Sequence, residues 1–418
     1  MTSEKLLNIK ELANADWLSS SATQSVFRAL NREGYEARAV GGAIRNTLLG
    51  KTIKDIDLAT TALPEDSSRL AKSAGLKVIP TGLQHGTVTI MSEGVPFEVT
   101  TLRQDVETDG RRAKVAFTDC WKADASRRDF TMNALYVDQG GELHDPLNGY
   151  DDLMEKRVRF IGEPVERIRE DYLRILRYFR FKAEYGLDTL DRPSLDACVR
   201  ERGGLRQLSA ERISAELIRL LVAPAAMKVV DTMFHYGLLV ELLGSVVSPL
   251  ALQNLLKLDE EFSNKPNGVL RLAVLSLYVD EDASRMSKRF KLSNEAKECL
   301  RHVLSEVPGI TQEITEIQAK IALYLIGVKS YRYKVLYAWA RDGAPATDKR
   351  WMELFALSDH WSTPDFPVKG RDLISLGYCK GPKIGITLRL LEKFWIQSDF
   401  KLTKKKLLQI AQKELNSY

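Results

Sequence analysis

No uninterrupted apolar run in the 418 residues approaches the roughly 20 residues needed to cross a bilayer. The opening MTSEKLLNIKELANADW has no basic segment followed by an apolar one, so no secretory signal is expected. Cysteine is sparse. Cys120, Cys198, Cys299 and Cys379 lie far apart with no Cys-x-x-Cys pair, which argues against a zinc site and fits reduced thiols in a cytoplasm. A strong charge imbalance is also missing: 61 Lys and Arg face 56 Asp and Glu, for a net +5. With a pI of 8.8 the chain is mildly basic, which permits a nucleic-acid partner without requiring one. Hydrophobic content of 44% and charged content of 28% are those of a soluble globular protein. The length exceeds one typical domain and implies roughly two to four units.

What is present centres on VGGAIRNTLLGKTIKDID, residues 40–57. Ala39 and Val40 suit a strand end. Gly41 and Gly42 allow a sharp turn and close approach to a ligand. A short helical pattern follows over Ala43–Leu49, with Gly50 as its stop. A second strand is expected to include Ile53, Ile56 and Leu58. Asp55 and Asp57, two apart on a strand, point the same way. Two adjacent carboxylates invite a cation, and magnesium joins carboxylates to phosphates. Amides at a helix start attract phosphate, and Arg45 adds a charge-assisted donor. Read alone, Asp-x-Asp is also compatible with two solvated aspartates after a turn.

The combination resembles the signature of class II nucleotidyltransferases, the bacterial CCA-adding enzymes and their poly(A) polymerase relatives. The matching residues are Gly41-Gly42, Arg45 and Asp55/Asp57, with Asn46 departing from the Asp that many relatives carry. The resemblance implies an α+β fold. A mixed α/β nucleotidyltransferase head with a polymerase-beta-like sheet would span 1–150. An all-α neck (151–225), body (226–345) and tail (346–418) would follow.

Along the head, a helix is expected over Pro64–Ala74 with Thr61 as a possible cap. Strands are expected at Leu76–Pro80, Thr87–Met91 and Val95–Leu102. Glu98, inside the last of these, is either solvated or a placed ligand. The resemblance favours the second, because Glu98, Thr100, Thr101 and Arg103 match a Glu-x-Thr-Thr-x-Arg pattern that implies a third carboxylate of the metal site. Residues 104–114 (QDVETDGRRAK) read as a flexible surface loop. The resemblance ties such a loop, with its Asp109-Gly110-Arg111 core, to the switch from adding C to adding A. In SRRDFTMNALY, residues 126–136, a helix start is expected with Ser126 or Asp129 as cap and with Asn133 on the same face as Asp129. The resemblance adds ribose contact through Arg128 and Asp129, a sound way to recognise a 2′-hydroxyl. Leu143–Leu153 reads as a loop.

One helix is expected over 161–186, with Asp171, Arg174, Arg177 and Arg180 recurring at steps of three. Such a row is either a solvated stripe on a buried helix or a nucleotide-reading face. Cytosine and adenine each offer an amine donor beside a ring-nitrogen acceptor; uracil and guanine offer the reverse. An Asp that accepts beside an Arg that donates therefore pairs with C or A, and Asp171 with Arg174 is such a pair. The pair matches the family's Glu-Asp-x-x-Arg motif, and relatives also imply nucleotide contact by Arg177 and Arg180. Ser209–Leu221 reads as an amphipathic helix capped by Ser209, with no chemistry assigned beyond bracing.

The remainder reads as helical, with turns at Lys265-Pro266-Asn267-Gly268 and Gly343-Ala344-Pro345. Gly381-Pro382 and Gly385 suggest a loop into a final helix. Lys404, Lys405 and Lys406 are either a solvated face or a salt-sensitive contact to a tRNA arm. The expected activity is magnesium-dependent, two-metal addition of C, C and A to the 3′ end of tRNA from CTP and ATP, with Asp55, Asp57 and Glu98 catalytic and Asp55 and Asp57 on the metal. Nucleotide contacts are expected from Gly42, Arg45, Arg128, Asp129, Asp171, Arg174, Arg177 and Arg180. The alternatives are a poly(A) polymerase, a CC-adding or A-adding enzyme, or an RNA-binding protein without catalysis.

Overall fold

The computed structural model describes residues 10–83, 86–109, 112–185, 190–305 and 308–416, the side chains of 105–115 and 416 excepted. The chain divides at Gly244 into two compact units.

The first unit holds a seven-stranded sheet in the order β3-β4-β5-β2-β1-β8-β9. Its strands are β1 (Ala37–Val40), β2 (Ile56–Thr60), β3 (Lys77–Gly82), β4 (Thr87–Ser92) and β5 (Val95–Thr101), with the short β8 (Tyr136–Val137) and β9 (Leu143–His144). Only the central β2–β5 pair is parallel; its other ladders are antiparallel. Leu58, Val88, Ile90, Phe97 and Val99 are buried on it. The helices Ser21–Leu30 and Pro64–Ser73 pack against β4. Ser20 starts the first of these by accepting from the Thr23 amide, and Pro64 pre-sets the first turn of the second.

Between β1 and β2 the chain makes the tight turn expected from Gly-Gly. Gly41 has φ +72°, and a Cβ built there would meet Asn133 O at an ordinary 3.5 Å. Glycine is therefore required by backbone conformation, not by space. The helix Gly42–Leu48 follows, and Gly50 ends it at φ +61°.

Several expectations are corrected. β2 begins at Ile56, so Asp55 sits just ahead of the strand, not on it. Thr61 does not cap the Pro64–Ser73 helix; its hydroxyl accepts from the Glu36 amide. The polar stretch read as a loop is an antiparallel ribbon, β6 (Arg103–Asp109) with β7 (Arg112–Phe117), while Gly110 and Arg111 lie outside the described residues. Alternating β-branched and polar residues near its ends outweigh its overall polarity. Ser126 ends the helix Trp121–Ser126 and starts none, and Thr131–Asn133 is a 3-10 turn. The stretch read as a loop at 143–153 contains β9 and the helix Gly149–Met154.

The helix expected over 161–186 is two helices, Pro164–Glu170 and Leu173–Tyr185; Gly186 lies outside the described residues. Asp171 breaks the run in an extended conformation, φ −157° and ψ 104°. Its carboxylate accepts from the Leu173 amide at 3.1 Å, the local competition with helical bonding that Asp side chains favour. Ser209 precedes the helix Ala210–Leu221 without a side-chain cap bond.

The regular elements of the second unit's described residues are all helices. Asn267 caps Gly268–Ser276 with bonds from two amides. The long helix Glu316–Asp342 is interrupted at Gly327, which has φ +74° and ψ 163°. Gly385 lies inside the helix Pro382–Gln397, not in a loop, and the last helix is Lys404–Asn416. Leu373, Tyr378, Leu391, Trp395 and Leu407 form a core there. No helix among the described residues is long and apolar enough to cross a membrane.

Candidate active site

Strand register assembles the acidic group. In the parallel pair Asp57 lies opposite Glu98, and in the antiparallel pair it lies opposite Val40, the residue before the Gly-Gly turn. Asp55 is two residues upstream. The Asp57 carboxyl is pushed up to about 6, first by burial, then by the negative charge of Glu98 and, more weakly, of Asp55, against the pull of Arg128.

A cavity of ≈ 680 Å³ opens beside Asp57. Its wall includes Gly41, Gly42, Arg45, Arg128, Asp129, Asp171, Arg174, Arg177 and Arg180. Every residue expected to contact the nucleotide therefore meets in one place. A hydrogen-bonded chain ties the wall together. Arg177 Nε donates to Asp129 Oδ2 at 2.7 Å, Asn133 Nδ2 donates to Asp129 Oδ1 at 2.8 Å, and Arg45 Nη1 donates to Asn133 Oδ1. Arg45 Nε then donates to the Tyr185 hydroxyl at 2.6 Å. Asp129 is buried, which alone would raise its carboxyl. The Arg177 charge, with the Asn133, Arg177 and Phe130 hydrogen bonds, pulls it down to about 2.

Asp171 and Arg174, the pair expected to read the base, each have their own partner in the wall. Arg212 grips Asp171 through both terminal guanidinium nitrogens, Nη1 to Oδ1 at 3.1 Å and Nη2 to Oδ2 at 2.6 Å. Arg174 instead donates to Glu170 and to the Arg167 carbonyl. Both face the same cavity, because Asp171 sits in the helix break and Arg174 on the first turn after it. Arg180 Nε donates to Glu216 at 2.5 Å, and Arg128 donates to buried Asp124 at 3.0 Å. Burial would raise the Asp124 carboxyl, but Arg128 and Arg127 hold it below the ordinary range.

The comparisons with known proteins agree with this geometry. Residues 37–159 match the poly A polymerase head domain, and residues 189–247 match a probable RNA and SrmB-binding site of polymerase A. The mitochondrial CCA tRNA nucleotidyltransferase 1 of Mus musculus is 34% identical over 413 residues, 95% of this chain and 91% of that protein. The chain belongs to the CCA-adding tRNA nucleotidyltransferase family. The CCA-adding enzyme of Leuconostoc citreum is 32% identical over 399 residues, covering 94% of this chain and 95% of that one. The crystal structure of the Bacillus stearothermophilus CCA-adding enzyme in complex with CTP superimposes with a TM-score of 0.74 at 27% identity, covering 95% and 97% of the two chains. The chain is thus a nucleotidyltransferase of a metal-dependent family, with the expected sheet-bearing head and helical remainder.

Sequence reasoning missed the helix Ala210–Leu221 as a source of site residues. Arg212, Glu216 and Arg219 share one helical face by their spacing of four and three. Arg212 and Arg219 line the cavity, and Glu216 holds Arg180. That charged stripe was readable in SAERISAELIRLL. The Asn133–Asp129 bond follows from their spacing of four, whereas the Arg45 bonds to Asn133 and Tyr185 join residues distant in sequence and gave no comparable signal. A separate trio, Asp138, Glu142 and His144, converges at the β8–β9 hairpin. There Asp138 accepts from the Gly140 and Glu142 amides and faces His144, which is turn chemistry.

Proposed function

We propose that the protein adds C, C and A to the 3′ end of tRNA from CTP and ATP, without a nucleic-acid template. The observation that carries this reading is one cavity uniting the Gly-Gly turn and Asp57 with the base-reading Asp171 and Arg174. The donor set fits a divalent cation: the Asp57 carboxyl, raised by burial and by neighbouring Glu98 and Asp55, is a crowd of like charge that a cation relieves. Two magnesium ions held by Asp55 and Asp57, with Glu98 assisting, would supply charge that orients the triphosphate and acidifies the tRNA 3′-hydroxyl.

The chain's own residues do the rest. The Gly42 amide at the helix start and the Arg45 guanidinium bind phosphate oxygens. Arg128 and Asp129 address the ribose, with Asp129 kept ionised by Arg177. Asp171 accepts from the exocyclic amine of cytosine or adenine, and Arg174 donates to the ring nitrogen. Arg212 presets the Asp171 carboxylate, so a base with the reversed pattern leaves buried groups unpaired. Arg177 and Arg180 add positive charge beside the nucleotide.

On this reading the head (1–150) and neck (151–225) carry catalysis and base choice, and the body (226–345) and tail (346–418) hold the tRNA, with Lys404–Lys406 as a phosphate contact. The Asp109-Gly110-Arg111 sequence serves the switch from C to A. A cytoplasmic site of action fits the four free cysteines. The test is nucleotide choice. Asp171→Ala should raise UTP and GTP incorporation relative to CTP and ATP by on the order of tenfold or more. Unchanged selectivity would remove Asp171 from base reading.

A further inference from the structure

One side chain joins the two helices that divide the work of the site. Tyr185 is the last residue of the helix Leu173–Tyr185, which carries Arg174, Arg177 and Arg180, and it is buried. Three residues of the head converge on it. Arg45 Nε donates to its hydroxyl at 2.6 Å, and the hydroxyl donates in turn to Asn46 Oδ1 at 3.3 Å. The Lys51 ammonium lies 4.5 Å from the centre of its ring and donates to the carbonyl of Glu184, the preceding residue. That carbonyl belongs to the last turn, where a helix has no internal donors left and where a cation meets the negative end of its dipole. Burial raises the Tyr185 phenol, so the hydroxyl stays neutral at neutral pH.

The partners of Arg45 are all of one kind. Arg128, Arg174, Arg177 and Arg180 each meet a carboxylate. Arg45 is held by Asn133 Oδ1 and the Tyr185 hydroxyl, both neutral, and no carboxylate among the described residues lies within ion-pair distance of it. Neutral acceptors orient a guanidinium without cancelling its charge. Asp57 lines the same cavity, so an Arg45 released from these acceptors has a carboxylate to turn to. The geometry points to Tyr185 as a positioning residue: its hydroxyl fixes Arg45, and with it the helix Gly42–Leu48, against the end of the base-reading helix, so that phosphate contact and base reading keep one spacing. Tyr185 is not part of the larger cavity's wall and acts through Arg45. The inference rests on the nucleotide-binding reading given above.

Calorimetric affinity for CTP, on the full chain in magnesium buffer without tRNA, tests this. Tyr185→Phe keeps the ring beside Lys51 and removes only the hydroxyl. It should weaken CTP binding about fivefold while leaving cytidine, read as a competitor, unchanged. Arg45→Lys keeps a cation but lacks the Nε–H that the hydroxyl accepts. In that background Tyr185→Phe should change CTP affinity by less than about twofold. Additive losses in the double variant would overturn the assignment, since Tyr185 would then not act through Arg45. So would unchanged CTP binding in Tyr185→Phe, or equal weakening of CTP and cytidine, the mark of a general loss of structure. With tRNA supplied, Tyr185→Phe should raise KM for CTP about fivefold and hold kcat within about twofold. A wild type that shows the binding contrast and its coupling yet incorporates nothing would refute the transferase reading and leave the positioning role standing.

Discussion

Asp129→Asn is the sharpest test of how the site is held together. Asp129 is 8% exposed, and its oxygens accept from Arg177, Asn133 and the Phe130 amide. Its carboxyl falls from 3.8 to about 2, with burial outweighed by Arg177 and these hydrogen bonds. A difference near two units, at about 1.4 kcal/mol each, makes the ionised form worth roughly 2–3 kcal/mol to the fold. The sign follows from the depressed value. The contribution is fully present above the unfolded carboxyl's pKa and is lost as pH falls through the folded one, near 2. Asn keeps the shape and can still accept from Phe130 and Asn133, but its neutral amide leaves Arg177 short of a charge. Hydrogen exchange of the amides from Phe130 to Val137 would read the opening free energy locally. The variant should lose about 2–3 kcal/mol of protection at every pH from about 5 to 8, with a smaller loss below about 4. A penalty under about 1 kcal/mol, or one that changes between pH 5 and 8, would refute the reasoning.

The Asp57 carboxyl, raised by burial and by Glu98, carries the opposite sign. Its protonated form adds stability that is lost as pH rises through about 6, so ionised Asp57 weighs against the metal-free fold at higher pH. Asp57→Asn should therefore stabilise the metal-free protein at pH 8 by on the order of 1–2 kcal/mol while abolishing incorporation, read by thermal unfolding in chelator. Metal affinity of the wild type, measured calorimetrically, should fall as pH drops through about 6. Arg212→Ala should free Asp171 and relax the choice of C and A over U and G, with a larger effect on selectivity than on the rate with CTP. Gly149→Ala would set a Cβ 2.2 Å from the Thr131 carbonyl oxygen. The forced shift should cost about 1–3 kcal/mol and disturb the neighbouring Asn133, seen as lower stability and slower incorporation.

Local signals carried much of this site. The Gly-Gly turn and the strands carrying Asp57 and Glu98 could be placed because turns and strands have short periods, and register then paired Asp57 with Glu98. The charged row Arg174, Arg177 and Arg180 was legible for the same reason. Non-local competition was not. Asp171 was read into a continuous helix, yet its own side chain caps the second helix and accepts from Arg212, 41 residues away. The ribbon of 103–117 was hidden by its polarity, since a two-stranded element needs no apolar core on both faces. The chain linking Arg177, Asp129, Asn133 and Arg45 joins residues up to 88 apart, which periodicity does not report.

The most direct test of the central claim is incorporation of labelled CTP and ATP, with magnesium, onto tRNAs ending at the discriminator base, in C and in CC. The expected result is C, C and A in order, followed by a stop. Addition that halts after two C residues, A alone on the CC-ended tRNA, an unending A tail, or no incorporation at all would each contradict it.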